Sequence, residues 1–297
     1  MTEPAIDVRD LRKRYGKTEA LRGLTFSVPG GSICGFLGRN GAGKTTTLKL
    51  LLGMARADSG EAFMLGRPIG REANSIEIRR HTAFVSESKD LYAFATVEQM
   101  IRIARSGSPG WRTDLEEKYA RMFELRMDQK VSALSRGNLT RLNLTLALSR
   151  GARLLLLDEP TQGLDTVVRE ETLQALVSYA AAEEATILVS SHELHEVEQI
   201  CDRVCIIDRG RALLEGDLDD LRANFRRIRA TFAHAPAQAV AELAGVTHVV
   251  SEGRTVSMLV TREVDDVVAR VRALDATAVQ VDPVSLKEIF LDLVRPQ

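Results

Sequence analysis

Residues 38–45, GRNGAGKT, have types and a spacing that suit the binding of a phosphate chain. They fit the pattern G-x-x-x-x-G-K-[ST], follow an apolar segment typical of a strand, and precede the helical run TTLKLLLGM. Glycines let backbone N–H groups curl around a phosphate, and the N-terminus of the following helix adds a favourable partial charge. We expect Lys44 to reach the β- and γ-phosphates of a nucleotide and Thr45 to ligate Mg²⁺. The predicted nucleotide contacts in this loop are Gly38, Asn40, Gly41, Ala42, Gly43, Lys44, Thr45 and Thr46.

A second motif, LLLLDEP, ends in two carboxylates that suit metal binding and water activation. Its run from Leu154 to Asp158 is typical of a strand that is buried on both faces. At the end of that strand, Asp158 is well placed to hold Mg²⁺, directly or through water. The next residue, Glu159, can orient or deprotonate the water that attacks a γ-phosphate. Taken alone, the motif could also cap a strand before a turn. The phosphate-binding loop at residues 38–45, called the P-loop below, favours the catalytic interpretation.

The segments around these motifs predict an α/β domain with a largely parallel sheet, because short apolar runs alternate with helical patterns. GLTFSV, the turn PGG and SICGFL predict a hairpin that leads into a core strand. From about residue 88 to residue 150 the pattern becomes helical, which predicts a helical subdomain inserted into the core. Within it, Thr113 and Glu116 predict a capping box at the start of the helix in TDLEEKYARMFEL.

After residue 216 the pattern changes to strand, helix, two strands, helix and strand, and a final helix closes the sequence. This order predicts a small ferredoxin-like α+β domain. We therefore divide the chain into a P-loop domain, residues 1–216, and an accessory or regulatory domain, residues 217–297. No catalytic constellation is visible in the second domain, and a fold alone confers no chemistry.

The composition argues against several functional classes. The chain has 297 residues, of which 44% are hydrophobic and 27% are charged, as in ordinary soluble globular proteins. Its formal net charge of −1 provides no field that would favour nucleic acid or an anionic membrane surface. The sequence contains no run of about eighteen apolar residues, so we expect any membrane role to require a separate partner.

The three cysteines, Cys34, Cys201 and Cys205, are an odd count, and the start MTEPAIDVRDLRKRYG lacks the apolar core of a signal peptide. We therefore expect a reducing cytosolic compartment and no disulfide framework. Two histidines upstream, His192 and His195, make a zinc site an alternative, but the spacing fits no compact zinc pattern. Buried thiols beside an apolar strand are the favoured interpretation.

Two further motifs, TQGLD and SSHEL, follow the acidic motif in order. Together with the P-loop and LLLLDEP, they resemble the ATPase subunits of ABC transporters over roughly residues 5–215. The resemblance implies that Asp165 belongs to a loop that crosses between two nucleotide-binding subunits. It also implies that His192 contacts the γ-phosphate and helps to hold the attacking water. Tyr15, which precedes a glycine, matches the aromatic residue that stacks on adenine in this family.

Two departures from the family pattern change the charge. Where the family usually has a glutamine after a core strand, the segment FVSESKDLYAFATVEQM places Glu87. A glutamate can still ligate Mg²⁺, but it adds negative charge beside the γ-phosphate, so we expect altered Mg²⁺ dependence or slower turnover. The family signature Leu-Ser-Gly-Gly-Gln is replaced here by Leu134, Ser135, Arg136, Gly137 and Asn138.

The signature-like stretch LSRGNLTRL has two interpretations. Ser135 could be a plain N-cap of the helix that follows. The other family motifs favour a contact with the γ-phosphate that is bound by a second subunit, which requires a hydroxyl and a close backbone approach at a helix start. Ser135 and Gly137 supply these two features, and Arg136, as a cation, need not repel a phosphate. Asn138 completes the predicted contact set.

The resemblance implies a subunit that binds and hydrolyses ATP with Mg²⁺ and powers a separate integral-membrane permease. Such a subunit would lie at the cytoplasmic face of the cell membrane. Two ATP molecules would be sandwiched in a homodimer, or in a heterodimer with a second ATPase subunit. Glu87, the Leu-Ser-Arg-Gly variant and the short C-terminal domain resemble bacterial exporters of drugs, antibiotics or lipids, while import stays open.

Two other functional classes compete with this interpretation. One is a soluble ABC ATPase that acts on nucleic acid, ribosomes or iron–sulfur assembly. We expect no nucleic-acid binding, because the sequence has one cassette and no basic patch. The other class is a non-catalytic regulator, which is disfavoured by the intact candidates for catalysis: Lys44, Asp158, Glu159 and His192.

Overall fold

The computed structural model describes residues 3–70, 72–88, 90–233, 237–261 and 263–294. The chain forms two compact units, Met1–Glu215 and Gly216–Gln297. The first unit has the strands β1 (Pro4–Tyr15), β2 (Thr18–Pro29), β3 (Ile33–Gly38), β4 (Ser59–Met64), β5 (Arg67–Pro68), β6 (Thr82–Val85), β7 (Leu154–Asp158), β8 (Thr186–Ser191), β9 (Arg203–Asp208) and β10 (Arg211–Asp217, which runs two residues past this unit). Its helices are α1 (Lys44–Leu51), α2 (Glu72–Arg80), α3 (Val97–Ser106), α4 (Thr113–Met122), α5 (Arg136–Leu148), α6 (Thr166–Glu183) and α7 (Leu194–Ile200), with a 3-10 turn at Val131–Ala133.

A six-stranded sheet in the order β10-β9-β3-β8-β7-β6 forms the centre of the first unit. The pairs β3–β8, β3–β9, β7–β8 and β6–β7 are parallel. Every residue of β3, β7 and β8 is buried, which explains why these strands are apolar along most of their length. Because parallel strands end at the same edge of a sheet, the carboxyl ends of β3 and β7 bring the P-loop and the acidic motif together.

A second sheet, in the order β2-β1-β4-β5, is antiparallel. The predicted hairpin from GLTFSV through PGG to SICGFL is therefore wrong, since its two strands lie in different sheets. β2 has largely alternating burial and pairs with β1, whereas β3 is buried throughout and pairs with two parallel strands. The two layers meet at Phe26 and Phe36, whose ring centroids are 5.0 Å apart within one apolar cluster.

Three helices, α3, α4 and α5, lie between β6 and β7, where the sequence predicts a helical insertion. One apolar cluster holds this segment together, and its buried members are Ala95, Val97, Met100, Ile101, Val131 and Leu142. The predicted capping box at Thr113 and Glu116 is wrong, because Arg112 is the N-cap of α4 and its side chain makes no capping hydrogen bond. Glu116 instead accepts hydrogen bonds from Arg105 and from the Trp111 indole, where the Nε1–Oε2 distance is 2.6 Å.

The second unit contains α8 (Leu218–Asn224), β11 (Arg226–Phe232), α9 (Ala237–Ala241), β12 (Val246–Glu252), β13 (Thr255–Val260), α10 (Val264–Ala273), β14 (Ala276–Pro283) and α11 (Leu286–Leu293). Its antiparallel sheet has the order β12-β13-β11-β14, which, with the helices between the strands, is the predicted ferredoxin-like arrangement. The first helix predicted in this domain is present as α9, and residue 236, which precedes it, lies outside the described residues. In the part of the chain that the structure describes, no helix combines the length and the apolar character that crossing a membrane requires.

Candidate active site

The P-loop connects β3 to α1 through backbone positions that only glycine fits. Gly43, the N-cap of α1, has a φ of 115°, and a Cβ at this position would lie 2.7 Å from the Cδ2 atom of Leu21. At Gly38, a Cβ would lie 2.7 Å from the carbonyl oxygen of Ile207. The loop therefore packs tightly on its inner side and presents the N-terminus of α1 to the cavity above it, as phosphate binding requires.

A cavity of about 430 Å³ lies over the P-loop. Of the nucleotide contacts predicted in this loop, the cavity is lined by Asn40, Gly41, Gly43, Lys44, Thr45 and Thr46. Gly38 and Ala42 are buried and do not line it. Glu87, Glu159 and Gln162 also face the cavity, so the fold brings residues from three distant motifs to one place.

Lys44, Glu159 and His192 form a continuous chain of polar contacts at this cavity. Lys44 Nζ donates to the carbonyl oxygen of Gly38 at 2.8 Å and lies 3.1 Å from Glu159 Oε1. The other carboxylate oxygen, Glu159 Oε2, lies 2.8 Å from His192 Nδ1. The side chains of Lys44 and Glu159 are 5% and 7% exposed, whereas that of His192 is 37% exposed. A phosphate that enters the cavity would compete with Glu159 for the ammonium group and leave the carboxylate beside His192.

The backbone of Glu159 adopts a left-handed conformation, with a φ of 48°. For a residue other than glycine, such a conformation costs about 1–3 kcal/mol and persists only where the surroundings impose it. Here the Glu159 N–H lies 3.1 Å from the carbonyl oxygen of Ser190 and 3.3 Å from its Oγ atom, which holds the turn after β7 against the end of β8. The turn sets the direction in which the carboxylate leaves the strand.

Asp158 has the properties of a ligand for a hard cation. Its side chain is almost completely buried, and its Oδ1 atom accepts a hydrogen bond from Ser190 Oγ at 2.6 Å. Within the described residues, no Lys, Arg or His nitrogen lies within 4.0 Å of this carboxylate. A buried carboxylate with no protein cation beside it fits Mg²⁺, which is bound through few carboxylates together with phosphate oxygens and water.

Two other predicted ligand contacts, Glu87 and Tyr15, differ in their relation to the cavity. Glu87 follows β6 and is exposed, and its side chain lines the cavity over the P-loop and a second cavity beside it. Tyr15 ends β1, is 48% exposed and does not line either cavity. Its ring has the Lys13 ammonium 5.2 Å from its centroid. The stacking of Tyr15 on adenine therefore stays a prediction.

The signature-like stretch and TQGLD begin two neighbouring helices. Ser135 Oγ accepts a hydrogen bond from the Asn138 N–H at 3.2 Å and caps α5, and Asp165 Oδ1 accepts one from the Val168 N–H at 3.0 Å and caps α6. A Cβ at Gly137 would lie 3.2 Å from Val168 Cγ2, so the two helix starts are in contact. Ser135 and Asp165 are both exposed. The capping interpretation of Ser135 is thus correct, and its contact with a second subunit stays a prediction that capping does not prevent.

A buried polar network beside the site is absent from the sequence-based predictions. Thr161 Oγ1 donates a short hydrogen bond to Glu196 Oε2, and Arg169 Nε lies 3.1 Å from Glu196 Oε1. Burial raises the pKa of Glu196, while the Thr161 hydrogen bond and the Arg169 charge oppose that rise. The network fastens the TQGLD loop to α7, the helix after His192. Its sequence signals are a threonine after DEP and an acid in the helix that follows SSHEL, and neither signal is specific.

The three cysteines are buried thiols, as the favoured interpretation predicts. Burial raises the pKa of Cys34 to about 12, and it also raises the pKa values of Cys201 and Cys205 well above their ordinary value. Among the described residues, no group of three or more His, Cys, Asp or Glu side chains could hold a metal ion. The zinc alternative therefore has no support from the structure.

We expect none of these thiols to react with Ellman's reagent in the folded chain at about pH 8, and all of them to react in denaturant. A buried thiol is inaccessible to the reagent, and at a pH far below its pKa it forms almost no thiolate. The absorbance of the released product measures the number of reactive thiols in each state. Rapid reaction of one thiol in the folded chain would contradict the burial described here.

Three features on this parallel sheet define an ATPase cassette of the ABC type: a P-loop, an acidic pair at the end of β7 and a histidine after β8. The family described as ABC transporter matches residues 21–162. The Nod factor export ATP-binding protein I of Burkholderia orbicola (strain AU 1054) is 38% identical over 223 residues, which cover 73% of this chain and 72% of that protein. The daunorubicin resistance ATP-binding protein DrrA3 of Streptomyces coeruleorubidus is 33% identical over 306 residues, which cover 99% of this chain and 95% of that protein.

A solved structure described as the ATP binding subunit of an ABC transporter is also similar. It has a TM-score of 0.67 and 30% sequence identity, and the match covers 74% of this chain and 92% of that one. The chain therefore belongs to the ATP-binding subunits of ABC transporters, and it is an ATPase. The predicted family and fold are confirmed, and these comparisons give no support to a soluble ABC ATPase that acts outside transport.

Proposed function

We propose that this ATPase powers a separate integral-membrane permease from the cytoplasmic face of the cell membrane, and that the transported compound is exported. The observation that carries the ATP-hydrolysis part of the proposal is the contact of Glu159 with both Lys44 and His192 beside the P-loop. The names of two relatives refer to Nod factor export and to daunorubicin resistance. We therefore infer a drug, an antibiotic or a lipid-like compound as the class of cargo.

Each group of the site has a role in ATP hydrolysis under this proposal. When ATP binds, the Lys44 ammonium exchanges its contact with the Glu159 carboxylate for contacts with the β- and γ-phosphates. Glu159 then orients or deprotonates the attacking water, and His192 contacts the γ-phosphate and keeps that water in place. Thr45 and Asp158, with Glu87 at the margin, would hold Mg²⁺, which neutralises charge on the phosphates.

We further propose that two chains, identical or related, enclose two ATP molecules between them. The exposed starts of α5 and α6 support this arrangement, because they place Ser135 and Asp165 side by side on the surface. Arg136, Gly137 and Asn138 would complete the contact with the nucleotide of the other subunit. Binding of ATP then closes the dimer, hydrolysis opens it, and the permease converts that cycle into alternating access.

We assign residues 1–216 to the ATPase domain, with its helical subdomain at about residues 88–150, and residues 217–297 to an accessory domain. We infer a packing or regulatory role for that domain rather than a catalytic one. Basic and acidic side chains that line its cleft of about 380 Å³ are in contact with each other. Arg227 lies 3.0 Å from Glu288, and His248 lies 3.2 Å from Asp292.

An exposed aromatic pair supports the proposed permease contact. Tyr92 and Phe94 are 55% and 77% exposed, and their stacked rings have centroids 5.6 Å apart. They follow Glu87 closely in the sequence, between β6 and α3. Aromatic side chains offer large contact areas at little entropic cost, and they are enriched in protein interfaces. We infer that this pair contacts a cytoplasmic segment of the permease.

The double variant Tyr92→Ala with Phe94→Ala should lose the permease, since loss of an aromatic pair at an interface centre costs about 2 kcal/mol or more, roughly thirtyfold in affinity. We would purify the tagged chain from its native membranes and identify co-eluting proteins by mass spectrometry. A polytopic membrane protein should be present with the wild type and strongly depleted with the variant, while ATP turnover of the isolated variant stays unchanged.

The control is Leu213→Ala, which removes another exposed apolar side chain of the same unit, on β10. This variant should retain the membrane protein. Ribosomal proteins or DNA in place of a membrane protein would contradict transport as the function. Equal recovery of the permease with all three chains would contradict the aromatic contact alone.

A further inference from the structure

Two adjoining cavities share a wall at the active site. The cavity over the P-loop and a second one, of about 460 Å³, are both lined by Glu87 and Gln162. The second cavity is completed by Ser88, Arg136 and Leu139. Glu87 follows β6 of the central sheet, whereas Arg136 is the first residue of α5, beyond the helical insertion. The second cavity is therefore a groove between the sheet and the helical segment, with an acid on one side and a base on the other.

Glu87 and Arg136 carry opposite charges on the lining of this groove. Among the described residues, neither side chain has an ion-pair partner within 4.0 Å, and both are exposed. Lys44, which lines the P-loop cavity with Glu87, is already held by Glu159 and by the carbonyl oxygen of Gly38. An exposed carboxylate beside a phosphate-binding loop becomes unfavourable when a triphosphate arrives, because like charges repel.

Arg136 is placed where it can offset that repulsion. Its guanidinium Nη1 lies 3.4 Å from the position that a Cβ of Gly163 would take. Gly163 directly follows Gln162, which lines both cavities, so the guanidinium lies beside the boundary between them. Gly163 has a φ of 73°, a conformation that residues other than glycine rarely adopt. Because Gly163 has no Cβ, the Arg136 guanidinium can lie close to its backbone.

We propose that Glu87 and Arg136 are a compensating charge pair across this groove. When phosphates enter the P-loop cavity, Arg136 neutralises Glu87 and keeps the carboxylate in the position of a metal or water ligand. The family pattern has the uncharged residues Gln and Gly at these two positions. Glu87 adds a negative charge and Arg136 a positive one, so the net charge of the two positions is the same as in the family pattern. Arg136 is a positioning residue in this proposal, which rests on the proposed ATPase mechanism and deepens it.

A double-mutant cycle on the full-length chain tests the pair. Arg136→Gly should lower kcat/KM for MgATP about tenfold when Glu87 is present, and by a clearly smaller factor in combination with Glu87→Gln. The difference between the two factors measures the pair, because any contact of Arg136 with the nucleotide of a second subunit is lost in both backgrounds. Most of the loss should lie in KM and in the Mg²⁺ requirement, because an uncompensated carboxylate weakens the binding of the charged ligand. Arg136→Lys should retain most of the activity, since it keeps the charge.

Arg121 provides a control, because it is an exposed arginine of the helical segment that lines neither cavity. Arg121→Gly should leave kcat/KM for MgATP unchanged, whether residue 87 is Glu or Gln. The loss caused by Arg136→Gly should also shrink at high salt, since exposed charges are screened there. Circular dichroism melting of each variant separates a folding defect from a charge effect.

The outcomes distinguish the pair from the mechanism on which it rests. Rescue of Arg136→Gly by Glu87→Gln supports the pair. Additive losses, or equal losses in Arg136→Lys and Arg136→Gly, overturn the pair while the ATPase mechanism stands. A wild-type chain that neither binds nor hydrolyses MgATP overturns both.

Discussion

Replacing Glu159 by Gln is expected to lower ATP turnover by a factor of about a hundred to ten thousand, the usual contribution of a positioned general base. The substitution keeps the size of the side chain but removes its negative charge. In the structure the carboxylate lies between two basic side chains: Glu159 Oε1 is 3.1 Å from Lys44 Nζ, and Glu159 Oε2 is 2.8 Å from His192 Nδ1. An amide there can neither take a proton from water nor compete with phosphate for the Lys44 ammonium. ATP should therefore bind at least as tightly as in the wild type and stay unhydrolysed.

The same variant should accumulate as an ATP-bound dimer. Under the proposed cycle, hydrolysis opens the dimer, so its loss leaves the closed form populated. Size-exclusion chromatography with light scattering, with saturating MgATP, measures the dimer, and release of inorganic phosphate measures turnover. Glu193→Gln is the control, because Glu193 is a neighbouring, 56% exposed glutamate whose Oε1 lies 3.5 Å from His192 Nε2.

Glu193→Gln should hydrolyse ATP and dimerise as the wild type does. If Glu159→Gln stays monomeric with saturating MgATP, two chains of this subunit do not enclose ATP in the way proposed. If it turns over ATP at the wild-type rate, Glu159 is not the residue that activates the water. The two measurements thus separate the dimer proposal from the catalytic one.

The parts of the site that short-range patterns encode could be predicted from the sequence. Gly43 and Lys44 are recognisable because a phosphate loop needs particular residue types at fixed offsets between a strand and a helix. Asp158 and Glu159 are recognisable because a run of buried leucines that ends in acids is unusual. Parallel strands then bring the two motifs to one sheet edge, which is a consequence of topology.

Features that depend on partners distant in the sequence could not be predicted. The contact of Glu196 with Thr161 joins residues 35 positions apart, and neither residue belongs to a pattern that marks it. The hairpin prediction fails for the same reason, since a tight turn at Gly31 fits either a hairpin or a step between two sheets. At Thr113, the local capping signal is outweighed by the contacts of Glu116 with Arg105 and Trp111.

The signature-like stretch shows how structure changes the question that a sequence raises. The sequence sets a helix cap and a phosphate contact as alternatives for Ser135. In the structure Ser135 is a cap, and it is also exposed beside Asp165, so one residue can serve both purposes. The departure at Arg136 then becomes the informative feature, because it faces Glu87 across a groove.

Replacing Lys44 by Ala is expected to weaken MgATP binding by about a hundredfold or more. Lys44 begins α1, and its ammonium is held inside the P-loop by the Gly38 carbonyl oxygen and by Glu159. A charge-assisted contact with phosphate in such a site contributes about 3 kcal/mol, which corresponds to that factor. The loss also leaves the buried Glu159 carboxylate without its cation, and this carboxylate would then repel the γ-phosphate. Binding is measured by titration calorimetry or with a fluorescent ATP analogue.

Lys49→Ala is the matched control, because Lys49 lies on the same helix but is exposed. It should bind MgATP as tightly as the wild type. A folded Lys44→Ala chain with wild-type affinity would show that phosphates do not reach the P-loop ammonium. Equal weakening in both variants would show that the effect arises from α1 as a whole. Because Glu159→Gln should keep ATP bound and Lys44→Ala should lose it, the pair of variants separates binding from hydrolysis at two side chains that are in contact.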